Sequence, residues 1–161
     1  MDAERRAELE KKREKLKAAA EARSRAALIA DLTTDLDAQG IEFQLELADT
    51  SWEWVCDHFP VNHWGGIDWA LAARKVQYHW GSEEQRPELV KQLINAAGLE
   101  DGPVTVIWSN ADRPAVLMSL GDVEAVSLRL LDQDFDTWMI SKESKWCIEC
   151  HHDGRIGIVL A

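Results

Sequence analysis

Three short strings hold the residue types that could do chemistry in this 161-residue chain. The first is Cys147-Ile-Glu-Cys150-His-His, which offers thiols and imidazoles at metal-like spacing. On a β-strand, residues three apart point to opposite faces. Cys147 and Cys150 therefore cannot both reach one ion, and no second cysteine pair exists to complete a tetrahedral site. The expectation is two small apolar residues packing on either side of a sheet, with no metal and no cofactor. The second string is Cys56-Asp57-His58, a thiol beside an imidazole, with His63 as a further candidate base. Members of a nucleophilic triad must converge in space and seldom come from adjacent positions. The third is Asp132-Gln-Asp134-Phe-Asp136, three carboxylates in five residues. Five residues supply too few oxygens for a calcium loop, so this stretch reads either as a solvated helix exit or as an acidic recognition loop. No serine elbow, phosphate loop, HExxH string or glycine-rich nucleotide fingerprint accompanies them.

The charge balance points away from several classes of partner. The net charge is −11, and it is unevenly spread. Residues 1–27 hold nine Lys/Arg against six Asp/Glu, a net of +3, whereas residues 28–161 hold nine against twenty-three, a net of −14. A field of that sign repels nucleic-acid phosphates and anionic lipid and attracts a cationic partner; acidity that serves only solubility is the plainer alternative. Three cysteines are an odd count for a disulfide framework. The N-terminal segment lacks the apolar core of a secretory signal, and no run approaches a membrane span. A cytoplasmic protein that binds neither nucleic acid nor membrane is expected.

These residues need elements to position them. Residues 2–39 contain no Gly or Pro and are rich in Ala, Glu, Lys and Arg, which predicts one long helix stopped at Gly40. Only Leu9 and Leu16 are large and apolar in its first part, so residues 1–27 form a solvated extension, while Leu28, Ile29, Leu32 and Leu36 dock on a core. Residues 28–161 then form one globular domain. Ile41 to Leu47 alternates apolar and polar, the pattern of a half-buried strand. Residues 51–69 read mostly as loop, with Asp68 capping a short helix through about Ala73. Val76, Tyr78 and Trp80 alternate as a strand. Ser82 opens a helix with Pro87 in an early turn, a stripe of Leu89, Val90, Leu93, Ile94 and Ala97, and a stop at Gly98. Strands follow at 104–108 and 115–118, a helix at 122–131, and a strand at 135–140. The fold class is α+β: a long N-terminal helix plus a largely antiparallel sheet flanked by helices, ending in a β-hairpin.

The register of that hairpin can be derived. A two-residue Asp153-Gly154 loop would set Glu149 opposite Ile158 and His151 opposite Ile156. A three-residue loop, His152-Asp153-Gly154, pairs Trp146 with Leu160, Ile148 with Ile158 and Cys150 with Ile156, all on one apolar face. Gly154 then takes the left-handed position of a type I turn with a G1 bulge. Cys147, Glu149, His151 and Arg155 fall on the other face.

Eight tryptophans against one tyrosine form an unusual aromatic balance. Trp108, Trp138 and Trp146 lie in strands and fill a core. Trp52, Trp54 and Trp64 lie among Glu53, Asp57 and His58, and a Trp flanked by carboxylates makes a good interface anchor, with core packing as the alternative.

The order of motifs in residues 60–161 resembles the immunity proteins of bacterial polymorphic toxin systems, especially those of contact-dependent growth inhibition. The residues that carry the resemblance are Gly-Ile-Asp-Trp (66–69), Val-Ile-Trp-Ser (106–109), Phe-Asp-Thr-Trp-Met-Ile (135–140) and Lys-Trp-Cys-Ile-Glu-Cys-His-His-Asp-Gly-Arg-Ile (145–156). The last is similar to a Trp-x-x-Glu-x-x-His-x-Gly hairpin in that class, departing at Cys150, His151 and Arg155, where two aromatics and a Glu are expected. The resemblance implies a non-enzymatic inhibitor that binds the toxin domain delivered by a sibling cell. Many such toxins are cationic nucleases or deaminases acting on nucleic acid, whose active site an acidic protein could occlude. The candidate contacts are Trp52, Glu53, Trp54, Asp57, Trp64, Asp68, Asp132, Asp134, Asp136 and Asp153. A small adaptor binding through the N-terminal helix, and more remotely a Cys/His hydrolase, are the alternatives.

Overall fold

The computed structural model describes residues 3–161. Its centre is a seven-stranded antiparallel sheet in the order β1-β4-β3-β5-β6-β7-β2. The strands are β1 (Gln44–Glu46), β2 (Lys75–His79), β3 (Pro103–Trp108), β4 (Ala115–Ser119), β5 (Thr137–Ser141), β6 (Trp146–His151) and β7 (Arg155–Leu160). Helices α1 (Ala3–Ala27), α2 (Ala30–Ala38), α3 (Ala48–His58), α4 (Arg86–Ala97), α5 (Leu120–Ala125) and α6 (Ser127–Leu131) complete the chain. The α+β class and the closing hairpin are as the sequence predicts. Strands β6 and β7 pair Trp146 with Leu160, Ile148 with Ile158 and Cys150 with Ile156, and Gly154 sits at φ +94°, in the left-handed region.

Both faces of the sheet are covered. On one, Val104, Val106, Trp108, Met139, Trp146, Ile148, Cys150, Ile156 and Ile158 pack against α2 and α4–α6. On the other, Ile107, Trp138, Ile140, Cys147 and Val159 pack against α3 and the chain that follows it. Cys147 and Cys150 thus occupy opposite layers, as strand geometry requires. Burial pushes the Cys147 thiol well above its ordinary range and Cys150 up to about 11, the latter against the pull of Arg86. Trp108, Trp138 and Trp146 are all buried.

Several boundaries differ from expectation. The N-terminal helix is not continuous: Ile29 leaves helical geometry at φ −125°, and Leu28 and Ile29 donate to Arg25 and Ala26 in a tight turn. The break lets Ile29, Leu32 and Leu36, all fully buried, lie on the sheet while α1, with no apolar stripe, runs on exposed. Strand β1 is shorter than the alternation of Ile41 to Leu47. It is an edge strand, and the chain turns away at Ala48, leaving Leu45 and Leu47 exposed. Residues 48–58 form α3 rather than loop. The helix buries Ala48, Ser51 and Val55, and because two of these are small, the stripe is faint in a count of large apolar residues. Asp68 caps only a turn: its carboxylate accepts from Ala70 and Leu71 at 3.1 and 3.3 Å, and no helix follows. Residues 122–131 divide into α5 and α6 at Val126 (φ −112°), and β5 starts at Thr137, leaving Phe135 and Asp136 in the preceding loop.

Candidate functional site

Glu149 lies at the centre of the α3 side. It is 2% exposed and receives three N–H groups: the Ile67 amide at 2.8 Å, the Trp69 indole at 2.8 Å and the Trp138 indole at 2.7 Å. A buried carboxylate is tolerable only with such partners. Gly157, opposite Glu149 on β7, makes the arrangement possible: a Cβ there would stand 2.6 Å from the Trp69 ring. The Gly-Ile-Asp-Trp, Phe-Asp-Thr-Trp and hairpin motifs, distant in sequence, thus meet at one carboxylate. That clamp fastens the chain after α3 to the sheet.

The fastened segment has its own internal frame. Val61 bridges to Ile67, Asp68 donates to the Pro60 carbonyl, and the Asn62 side chain accepts from Trp64 and Gly66 at 2.9 and 3.2 Å. Gly65 completes the turn at φ +86°. The tip of this rigid loop carries Trp64, 85% exposed.

The loop after α6 is built on the same plan. Asp132 pairs with the buried Arg86 at 2.6 Å. Asp134 accepts from the Asn110 amide at 2.8 Å and faces Arg113 at 3.7 Å. Asp136 accepts from the His152 amide at 2.8 Å, with the His152 ring also at 2.8 Å. All three carboxylates of the acidic string are therefore engaged within the protein, and the residue held outward is Phe135, 79% exposed. On the hairpin turn, partial burial works to raise the Asp153 carboxyl, but hydrogen bonds from Arg155 and His151 overcome it and hold the group down at about 2.

Two grooves flank this loop. One, of ≈ 410 Å³, is lined by Asp49, Trp52, Glu53, Trp64, Asp136 and Trp138 among others. The second, of ≈ 750 Å³, is lined by Asp132, Asp134, Phe135, His152, Arg86 and Trp80 among others. The structure thus gathers Trp52, Glu53, Trp64, Asp132, Asp134 and Asp136 along one surface, with Asp153 beside it through His151. Trp54, Asp57 and Asp68 do not line either groove. Trp54 stacks on His58 at 4.1 Å and meets Phe59 edge-on. Asp49 and Glu53 make no ion pair among the described residues, so they supply the uncompensated negative charge here.

The Cys56-Asp57-His58 string forms no dyad. His58 Nδ1 bonds the Trp54 carbonyl at 2.8 Å. Partial burial and the Asp57 carboxylate raise the Cys56 thiol, opposite to what a nucleophile needs.

The family model described as CdiI immunity protein, EcoliA0-like, matches residues 41–159. The chain belongs to this family. The match takes in the whole sheet apart from the last residue of β7, the Glu149 clamp and both aromatic-tipped loops, and it leaves α1 and α2 outside. No curated protein matches this CdiI-family chain. Sequence reasoning about the immunity protein missed Glu149, Gly157, Asp49 and Phe135. A lone acid among β6 residues that otherwise alternate into two apolar layers is the signal for Glu149. For Phe135 it is an aromatic between two aspartates, overshadowed by its neighbours' charge.

Proposed function

We propose that this immunity protein acts in the cytoplasm, neutralising a cationic toxin domain, either a nuclease or a nucleic-acid deaminase, by covering its active site without turning anything over. The observation that carries this reading is the pair of outward aromatics, Trp64 and Phe135, each on a loop locked by its own hydrogen bonds, Trp64 lining the groove that holds Asp49, Glu53 and Asp136, and Phe135 lining the neighbouring one. Rigid, exposed aromatics supply binding energy at little cost in lost side-chain freedom. The −14 balance of residues 28–161 steers a basic partner toward them. Trp52 lies half-buried against Trp138, ring centres 5.1 Å apart, and forms the groove floor rather than a protruding anchor. Asp132, Asp134 and Asp153 shape the surface through their internal pairs, and Trp54, Asp57 and Asp68 flank it as secondary contacts.

The test uses the cognate toxin domain. Truncating Trp64 or Phe135 to Ala is expected to weaken binding by about 2 kcal/mol each, as for a central hot spot, with unfolding midpoints unchanged. Glu53→Lys should slow association and flatten its salt dependence. Unchanged affinity in all three variants would remove this surface from the footprint. A neutral or acidic toxin face at the contact would overturn the charge argument. Inhibition that persists while the toxin still binds its nucleic acid would replace occlusion with a remote mechanism.

A further inference from the structure

Between the two grooves, Asp136, His151 and His152 bring one ligand atom each to within 4.8 Å of one another. We propose that this trio is a binding site for a divalent transition ion of the Zn2+ type, joining the loop before β5 to the turn of the β6–β7 hairpin. The proposal concerns the free protein and holds whether or not a toxin docks nearby.

The geometry is close to what such an ion needs. Asp136 Oδ1 lies 2.8 Å from His152 Nδ1 and 3.9 Å from His151 Nε2. Ligand atoms in a tetrahedral site with bonds of ~2.0–2.1 Å stand about 3.3 Å apart, between those two values, and the third pair, the two imidazole nitrogens, lies within 4.8 Å, so side-chain rotations on a fixed backbone gather the three atoms around one ion. Asp153 supplies the supporting contact: its Oδ1 is 3.0 Å from His151 Nδ1. Ion binding at Nε2 requires the ring proton on Nδ1, where the Asp153 carboxylate accepts it, the usual support of a metal-bound imidazole; in the metal-free protein the Asp153 amide also approaches Nδ1, at 3.3 Å. The two rings stack with centres 4.3 Å apart, which fixes them relative to each other.

The frame is rigid where it must be. His151 ends β6, and Asp136 is tied to the His152 amide and through its own carbonyl to Ser109. His152 is the exposed member, so an ion can enter from solvent and keep a water as its fourth ligand. Two imidazoles and one carboxylate select Zn2+, Co2+ or Ni2+ over Ca2+ and Mg2+, which favour all-oxygen shells. Both thiols of the nearby Cys147–Cys150 string are directed into the protein's two layers, so the donor set is nitrogen and oxygen only.

The experiment uses the full chain freed of any affinity tag. Equilibrium dialysis with Zn2+ should give one ion per chain, and Zn2+ should raise the thermal midpoint, since a ligand that binds only the folded state stabilises it. His152→Ala and His151→Gln, each tested alone, should abolish both effects while leaving the metal-free midpoint near that of the parent. Co2+ added to the unaltered protein provides a second measurement that needs no variant: weak visible bands without a thiolate charge-transfer band are expected. No uptake by the parent protein would overturn the proposal. So would one-to-one uptake that survives both substitutions, or a thiolate band, which would place the ion at Cys56 instead.

Discussion

The two faces of the sheet solve the same packing problem with different materials. Toward α2 and α4–α6, the layer consists almost entirely of alkyl side chains with Trp108 and Trp146. The polar groups there are met at its margin: the Trp108 indole donates to the Leu130 carbonyl at 2.8 Å, and the buried Arg86 guanidinium pairs with Asp132. Toward α3, the layer is thinner and holds a carboxylate at its centre, bound by two indoles and an amide. Apolar packing is forgiving, because a lost methylene costs only its transfer energy and a partly collapsed cavity. A buried polar node is not forgiving, because removing one member leaves the others desolvated and unpaired. Both loops are therefore fixed by directional bonds, the Trp64 loop through Glu149 on the α3 side and the Phe135 loop through Arg86 on the α4 side, which is what a surface with a set shape requires.

Glu149→Ala should break the comparison most sharply. It strands two indole N–H groups and the Ile67 amide in a dry layer, and at ~1–3 kcal/mol for each unmet donor the expected loss is about 3–5 kcal/mol after some water entry. Ile148→Val, one residue away on the alkyl face, should cost about 1 kcal/mol. Urea midpoints for the pair test the contrast directly, and equal costs would end it. Gly157→Ala comes next. Its methyl would meet the Trp69 ring, and overpacking of this kind costs ~1–3 kcal/mol. Because the indole must move away from Glu149, the same variant should also loosen the Trp64 loop, seen as faster amide exchange in residues 61–68.

Much of this was open to inspection in the sequence, and the parts that were not share a cause. The hairpin register followed from alternation, because a one-residue slip would have exposed a whole apolar set. The end of α4 followed from Gly98, which takes the left-handed conformation at φ +61°, whereas Ser82 caps a short 3-10 turn at Glu83–Gln85 and α4 itself starts at Arg86, just before Pro87. What escaped depends on contacts between distant segments. Nothing near Glu149 in the chain announces that Ile67, Trp69 and Trp138 will donate to it. Nothing near Asp132 shows that Arg86, forty-six positions earlier, absorbs its charge. The acidic string consequently read as a free negative patch, whereas its carboxylates hold the loop and free charge resides on α3 at Asp49 and Glu53. The grouping of Trp52, Glu53, Trp64 and Asp136 was legible as composition but not as geometry, since the helix that places two of them has too few large apolar residues to show its period.

The smallest expected effect concerns the hairpin turn, where the polar scheme of the α3 side reaches solvent. Asp153 is held at about 2, below its ordinary 3.8, facing Arg155 and His151, with Asp136 across His151. A carboxyl with a depressed folded-state value stabilises the fold above its unfolded value and loses that contribution as pH falls through the folded one. Its share is therefore fully present above about pH 4 and fades toward pH 2. The pair is more than a third exposed on each side, so solvent screening limits it to under about 1 kcal/mol. Asp153→Asn should lower the urea midpoint slightly at about pH 5, and the gap from the parent protein should narrow at about pH 3. A gap that stays constant across that range would mean the carboxylate's charge does not contribute, and that the turn is held by Gly154 and the register alone. In that case the directional scheme ends at Asp136, inside the groove, and does not extend to the rim.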